Sequence, residues 1–178
     1  MLGGRLAGIA LIAAAVVAAG AIAFVALFGG LVLVVEGAPS ARVIHREPVR
    51  PGARFVLSYV HSSEHVPVRG TFRIEPDRSL TVVATAFAGF GPGLPALQPG
   101  DAWETHEGMF VQRDPGARLP ELRLRVVPLT RHRLETPGGR HLDLSALMGA
   151  GGPVRIHVRP ATVAERFQDW AAGARTDA

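Results

Sequence analysis

The chain has 178 residues, 48% of them hydrophobic, and a formal net charge of +4, which gives room for one ordinary domain with a real core plus a tail or an anchor. All 19 basic residues are arginine, and lysine, asparagine and cysteine are absent. Acidic residues are interspersed among the arginines almost throughout, so no basic patch argues for nucleic acid, and disulfides and thiolate metal ligands are excluded.

From Leu6 to Val35 run 30 consecutive uncharged residues, bounded by Arg5 and Glu36, where about 20 suffice to cross a bilayer core. The run predicts a single transmembrane helix in the plasma membrane, ending at Gly29 and Gly30. Leu31 to Val35 then leave the membrane or start the next element. A cleaved secretory signal is the rival, because Ala19, Gly20 and Ala21 supply small residues, but the apolar region of a signal spans only about 7 to 15 residues. Arg42, Arg46 and Arg50 against a lone Arg5 favour a cytoplasmic carboxyl side, a count that a following folded domain dilutes, so charge leaves the side open.

Residues 37–52, rich in Pro, Gly and charge, read as a linker. The period then changes to two. Phe55, Leu57 and Tyr59 alternate with Val56, Ser58 and Val60, and Leu80, Val82 and Ala84 with Thr81, Val83, Thr85 and Phe87. Leu122, Leu124 and Val126 oppose Arg123 and Arg125, as Val154, Ile156 and Val158 oppose Arg155, His157 and Arg159. Turn signals stand at Pro76–Ser79, Pro137–Gly139 and Gly149–Pro153, the second closing a hairpin between Leu134 and Leu142. The expected fold is all-β: an antiparallel sandwich or partly open barrel of about seven short strands, with an N-terminal transmembrane helix and a short C-terminal helix. Thr162 and Glu165 make a capping box for that last helix, Ala164, Phe167, Trp170 and Ala171 share one face, and Gly173 stops it. The domain scheme is an anchor over 1–36, a linker over 37–52, a β-rich domain over 53–173 and a flexible tail over 174–178.

Chemistry is first sought at His61-Ser62-Ser63-Glu64-His65. The letters fit H-x-x-E-H, in which two histidines hold zinc and the glutamate activates water. That geometry needs a helix to put both imidazoles on one face, whereas β-branched Val56, Val60 and Val66, the alternation before the motif and Pro67 just after it predict a strand end and a turn. A serine hydrolase built on Ser62 or Ser63 lacks a G-x-S-x-G elbow. The plain reading is that His61 and Ser62 end a strand, their side chains satisfying backbone groups at the turn. The long connection Ala88 to Gly108 is a second candidate, with Trp103 and Phe110 packing on the sheet end. Its Glu104, His106 and Glu107 could join His61 and Glu64 in a His/carboxylate metal site, the metal-dependent hydrolase alternative, for which His61, His106 and Glu107 are the core set. Gly91-Pro92-Gly93 has no phosphate-loop lysine and no following helix. Outward Arg123, Arg125, Arg155 and Arg159 could meet anionic lipid if their strands are neighbours.

The order FVLSYVHSSEHVPV, then TFRIEPDRSLTVVATAFAGFGPGLP, resembles a bacterial family known only as domain of unknown function 1850, from about Phe55 to Pro160. The residues that carry the likeness are His61, Ser62, Pro67, Gly91, Gly93, Leu94 and Pro95. Arg69-Gly70-Thr71 stands where that family commonly has acidic residues, and Pro92 where it has a small one. The resemblance implies association with TAXI-type tripartite solute transporters, hence a transporter membrane subunit or a solute receptor as partner, a domain on the extracytoplasmic side, and no established reaction or cofactor. The expectation is a non-enzymatic accessory or docking domain tethered to the bilayer, whose contact surface is the His61-Ser62 corner with the loop Gly91 to Pro95.

Overall fold

The computed structural model describes residues 11–17, 19–20, 30–37, 40–89, 91, 103–113, 115–166 and 168. Residues 31–159 form one compact unit, and 1–30 with 160–178 form another.

The larger unit is mostly antiparallel β-structure. One sheet has four strands in the order β2-β1-β12-β9: β1 (Leu31–Gly37), β2 (Arg42–Val49), β9 (Leu122–Val126) and β12 (Gly152–Pro160). The other runs β11-β10-β3-β4-β5-β7-β6, with β8 also on β5: β3 (Arg54–Val60), β4 (Pro67–Ile74), β5 (Leu80–Phe87), β6 (Trp103–His106), β7 (Met109–Arg113), β8 (Arg118–Leu119), β10 (Arg133–Glu135) and β11 (His141–Asp143). Both sheets feed one core. Leu33 and Val35 of β1 and Val154, Ile156 and Val158 of β12 meet Phe55, Leu57, Phe72, Ile74 and Leu80 from the larger sheet, and Phe55 stacks on Phe72 at 5.1 Å. The alternating strands behave as their period dictates: Phe55 and Leu57 are buried while Arg54 is exposed, and Val154, Ile156 and Val158 are buried with Arg155 and His157 between them.

Three differences from the sequence expectation have physical causes. Leu31–Val35, the end of the uncharged run, start the next element: they are β1, almost wholly buried between β2 and β12. A strand buried on both faces needs no alternation, so LVLVV has the same signature as the end of an oily helix. Residues 42–49, expected as linker, are β2, paired residue for residue with β1 from Leu31↔Val49 to Gly37↔Arg42 with one bulge at Val35/Glu36. Pro48 masked this strand. It is tolerated because β2 lies at the sheet edge, where a missing N–H costs no ladder bond. The connection 88–108 is not all loop, since Trp103–His106 pairs with Met109–Arg113 as a hairpin. Its turn residues Glu107 and Gly108 both have positive φ, 51° and 75°, the handedness that matches strand twist. Among the described residues there are twelve strands where about seven were expected.

The anticipated turns are present. Ser79 N–H and hydroxyl both donate to Asp77 at 3.1 and 2.6 Å between β4 and β5, and Thr136–Arg140 closes the β10–β11 hairpin. A short helix, Leu144–Met148, follows β11, its first turn capped by Asp143 accepting from Ala146 N–H at 2.9 Å. Gly151 enters β12 at φ 97°, and a side chain there would strike the Val126 carbonyl at 2.7 Å.

In the smaller unit, residues 11–17 are helical, and Leu11, Ile12, Val16 and Val17 are 66–72% exposed. Among the described residues no helix is long and apolar enough to cross a membrane; most of the expected span, including 1–10 and 21–29, lies outside them. The capping box is formed as expected: Glu165 carboxylate accepts from Thr162 N–H at 2.8 Å and from its hydroxyl at 3.0 Å, while Glu165 N–H donates back to Thr162 Oγ1 at 3.2 Å. Ala164 is exposed, and Phe167, Trp170, Ala171 and Gly173 fall outside the described residues.

Candidate functional site

The HSSEH stretch is the turn joining β3 to β4, not a helix. His61 N–H donates to Val66 C=O at 2.9 Å and His65 N–H to His61 C=O at 3.0 Å, which folds the chain back within five residues. His65 takes the left-handed conformation the reversal needs, φ 56°. The imidazole of His61 turns inward on its own loop: Nδ1 accepts from Glu64 N–H at 3.4 Å and lies 3.2 Å from Ser63 Oγ. The ring therefore satisfies a backbone donor, as the plain reading expected, although the hydroxyl beside it belongs to Ser63 and not Ser62. Both ends of the turn are pinned by the ladder, with Val60 opposite Pro67 and Ala88 N–H donating to Pro67 C=O at 3.2 Å.

Of the loop residues singled out with this corner, Gly91 is described; Gly93, Leu94 and Pro95 fall outside the described residues. Gly91 packs against the corner so closely that a methyl there would lie 2.4 Å from Glu64 Cγ and 2.8 Å from its Oε1. Gly89 approaches Val66 in the same way, 3.1 Å from Cγ1. Two of the residues that carry the family likeness, His61 and Gly91, thus both meet Glu64, His61 at its backbone N–H and Gly91 against its side chain, a close approach for which glycine is suited.

His106 and Glu107 stand at the tip of the β6–β7 hairpin, 74% and 79% exposed, 3.8 Å apart. Glu104 is held by Arg113 at 2.7 Å, and that hydrogen bond keeps its carboxyl below the usual range. Among the described residues no three of His, Asp and Glu come close enough to hold a metal ion, and His61, His106 and Glu107 are not gathered. Trp103 meets Phe87 edge-on at 5.4 Å, with Phe110 6.2 Å from the same ring, so these aromatics close the sheet end as expected.

Two buried or half-buried polar groups had no sequence signature, and a third gathers arginines that the sequence had marked. His132, 6% exposed, stacks on Tyr59 at 5.2 Å. Thr130 donates its hydroxyl proton to Val127 C=O at 2.8 Å and accepts from His132 Nδ1 at 2.7 Å. Burial pushes the His132 pKa down, which keeps the ring neutral. Ser145 Oγ accepts from His132 N–H at 2.9 Å and donates to Val127 C=O at 3.2 Å. Its hydroxyl serves backbone and not imidazole, so this cluster braces the loop 127–132. Glu47 of β2 clasps the β10–β11 turn, accepting from Thr136 Oγ1 at 2.9 Å and Gly138 N–H at 3.1 Å, with His45 Nε2 at 3.2 Å. The third lies on the outer face of the small sheet. Arg123 and Arg155 are directly opposite, so the expected adjacency of the arginine strands holds. Both grip Glu121, and Arg155 also reaches Glu36 at 3.0 Å. Burial works to raise the Glu121 pKa, but hydrogen bonds from Arg155 and Arg123 hold it low. Arginines so engaged offer less charge to an anionic lipid surface than an unpaired row would.

A family model described as "Domain of unknown function (DUF1850)" matches residues 55–144. Comparison with curated proteins and with solved structures found no match. The matched stretch is half of the chain and holds the β3–β4 corner, the glycines packed upon it and the His132 brace, and on that ground the chain belongs to the DUF1850 family.

Proposed function

We propose that the protein is a membrane-anchored accessory or docking domain of a TAXI-type tripartite solute uptake system, displayed on the extracytoplasmic side of the plasma membrane and acting by binding. The two sheets around their shared core are, on this reading, a sandwich whose strand-end turns present the contact surface. The observation that carries the anchor is the exposure of Leu11, Ile12, Val16 and Val17, 66–72% each, along one helical stretch. Leaving such side chains in water costs about 25 cal/mol per Å², and lipid removes that cost. With Leu31–Val35 assigned to β1, the uncharged run still keeps 25 residues from Leu6 to Gly30, above the roughly 20 needed to span.

Docking rests on the corner. The His61 turn is held by its own hydrogen bonds and by the close approach of Gly91, which gives a preformed surface whose ordering entropy is already met. A partner in the same membrane is encountered at high effective concentration, so a small contact suffices. The transporter association comes from the family likeness. Photocrosslinking from position 62 in the native membrane is expected to capture a transporter membrane subunit or its solute receptor. Recovery of neither, with the protein confirmed in the membrane fraction, overturns the docking proposal; recovery in the soluble fraction overturns the anchor.

A further inference from the structure

The outer face of the larger sheet carries a groove of about 420 Å³ that ends in arginine. Its cationic end is built by register: Arg133 lies opposite Ser58, and Ser58 opposite Arg69, so both arginines project from the same face on either side of a small residue. Arg131 joins them from the loop before β10. Beyond this row the floor turns apolar, with Val60 opposite Pro67 and Met109 further across the sheet.

The three guanidinium groups are weakly compensated. Arg69 and Arg133 stand 3.9 and 3.8 Å from Glu135 and Asp143, beyond hydrogen-bond length. Arg131 is exposed and meets no carboxylate among the described residues. Its backbone is left-handed, φ 47°, ψ 46°, a conformation that costs an ordinary residue about 1 kcal/mol and suits glycine or asparagine better. Strain of this kind persists where the surrounding structure imposes it and clusters at ligand sites; here the buried Thr130–His132 brace imposes it on both sides. A neighbouring cleft shares Arg131 and Arg133 but includes the Asp143 carboxylate in its wall, which disfavours anions there.

We infer that the groove between Arg131 and Met109 is a binding site for a small organic anion, a carboxylate seated on Arg69, Arg131 and Arg133 with its apolar body over Val60, Pro67 and Met109. The chemistry is that of most small-ligand sites, an apolar bed with a few convergent polar groups, and guanidinium forks match a carboxylate in two hydrogen bonds each. The site stands independently of the docking proposal.

The test is calorimetric titration of the full chain in mild detergent at neutral pH with phenylacetate, with its uncharged isostere phenylacetamide and with inorganic phosphate. Phenylacetate is expected to bind saturably and both comparators at least about tenfold more weakly, since loss of a charge-assisted pair is worth roughly a factor of ten or more. Arg131→Asn, which accepts the left-handed backbone, weakens phenylacetate about tenfold while leaving thermal unfolding unchanged. Arg123→Gln, on the other sheet, leaves binding as it was. No saturable binding of phenylacetate, equal binding of the amide, equal binding of phosphate, or indifference to Arg131→Asn each overturns the inference.

Discussion

Leu33→Ala tests whether the end of the uncharged run belongs to the core of the β unit. Leu33 is fully buried in β1, in the cluster that also holds Phe55, Leu57 and Ile156. Removing its isobutyl group forfeits the transfer energy of the lost carbons and leaves a cavity that surrounding strands cannot collapse, about 3–5 kcal/mol for an enclosed leucine. In a unit of this size each kcal/mol moves Tm by about 3–5 °C, so a fall of about 9–25 °C is expected. The assay is thermal unfolding of the full chain in mild detergent, followed by the far-ultraviolet circular dichroism of the sheets. Leu11→Ala is the matched comparison: Leu11 is 72% exposed and outside the β unit, and its truncation should change stability by less than about 0.5 kcal/mol. A leucine immersed in lipid would behave like Leu11 wherever it stood in the run. Equal Tm values for the two variants would refute the placement of β1 in the core.

Glu47→Ala removes the shared acceptor of Thr136 and Gly138 and should cost about 2 kcal/mol, with Glu47→Gln losing about half of that; unchanged denaturant midpoints for both would show that the clasp contributes nothing. Gly91→Ala forces Glu64 aside, but Glu64 ends in a flexible side chain, so stability should shift by less than about 1 kcal/mol while nuclear magnetic resonance signals of His61 and Glu64 move; static signals would mean that the close approach is absent. Burial holds His132 below its ordinary pKa, and burial with Arg155 and Arg159 does the same for His157 against the opposing pull of Glu36 and Glu121. Each is therefore neutral when folded and takes up a proton on unfolding once pH falls below about 6.5, so this stability is complete above about pH 6.5 and declines as pH drops toward the depressed folded values. Thermal scans at about pH 7.5 and about pH 5.5 should show the decline, and a His132→Asn, His157→Gln variant should flatten it.

How far the residues foretold the structure depended on whether a strand had one wet face. Phe55–Val60, Leu122–Val126 and Val154–Arg159 alternate because one side meets water, and they were legible. LVLVV, enclosed between two neighbours, has no polar side to mark its period, and β2 hides behind Pro48. The turn reading of HSSEH was sound because β-branched residues and Pro67 are local vetoes on a helix. The arginine groove was invisible for the opposite reason: Arg69 and Arg133 are 64 positions apart in the chain and become neighbours only through the register that places Ser58 between them. His132 looked like one more histidine among seven, since burial comes from the loop folding over Tyr59 and not from its sequence neighbours.

The corner and the groove share a boundary. Val60 and Pro67 are the last ladder pair before the His61 turn and also the first apolar pair beyond the arginine row. Proline at 67 suits both roles. Its missing N–H leaves the pair without one donor at the point where the strands part, and its ring offers a rigid apolar surface outward. A molecule lying on Val60 and Pro67 therefore rests on the strand ends that hold the turn in register. His61 follows Val60 directly, and its N–H bond to Val66 closes the loop one residue further on. Were the proposed docking surface and the proposed anion site both occupied, their sharing of this strand pair would make any coupling reciprocal, each biasing the other by the same free energy.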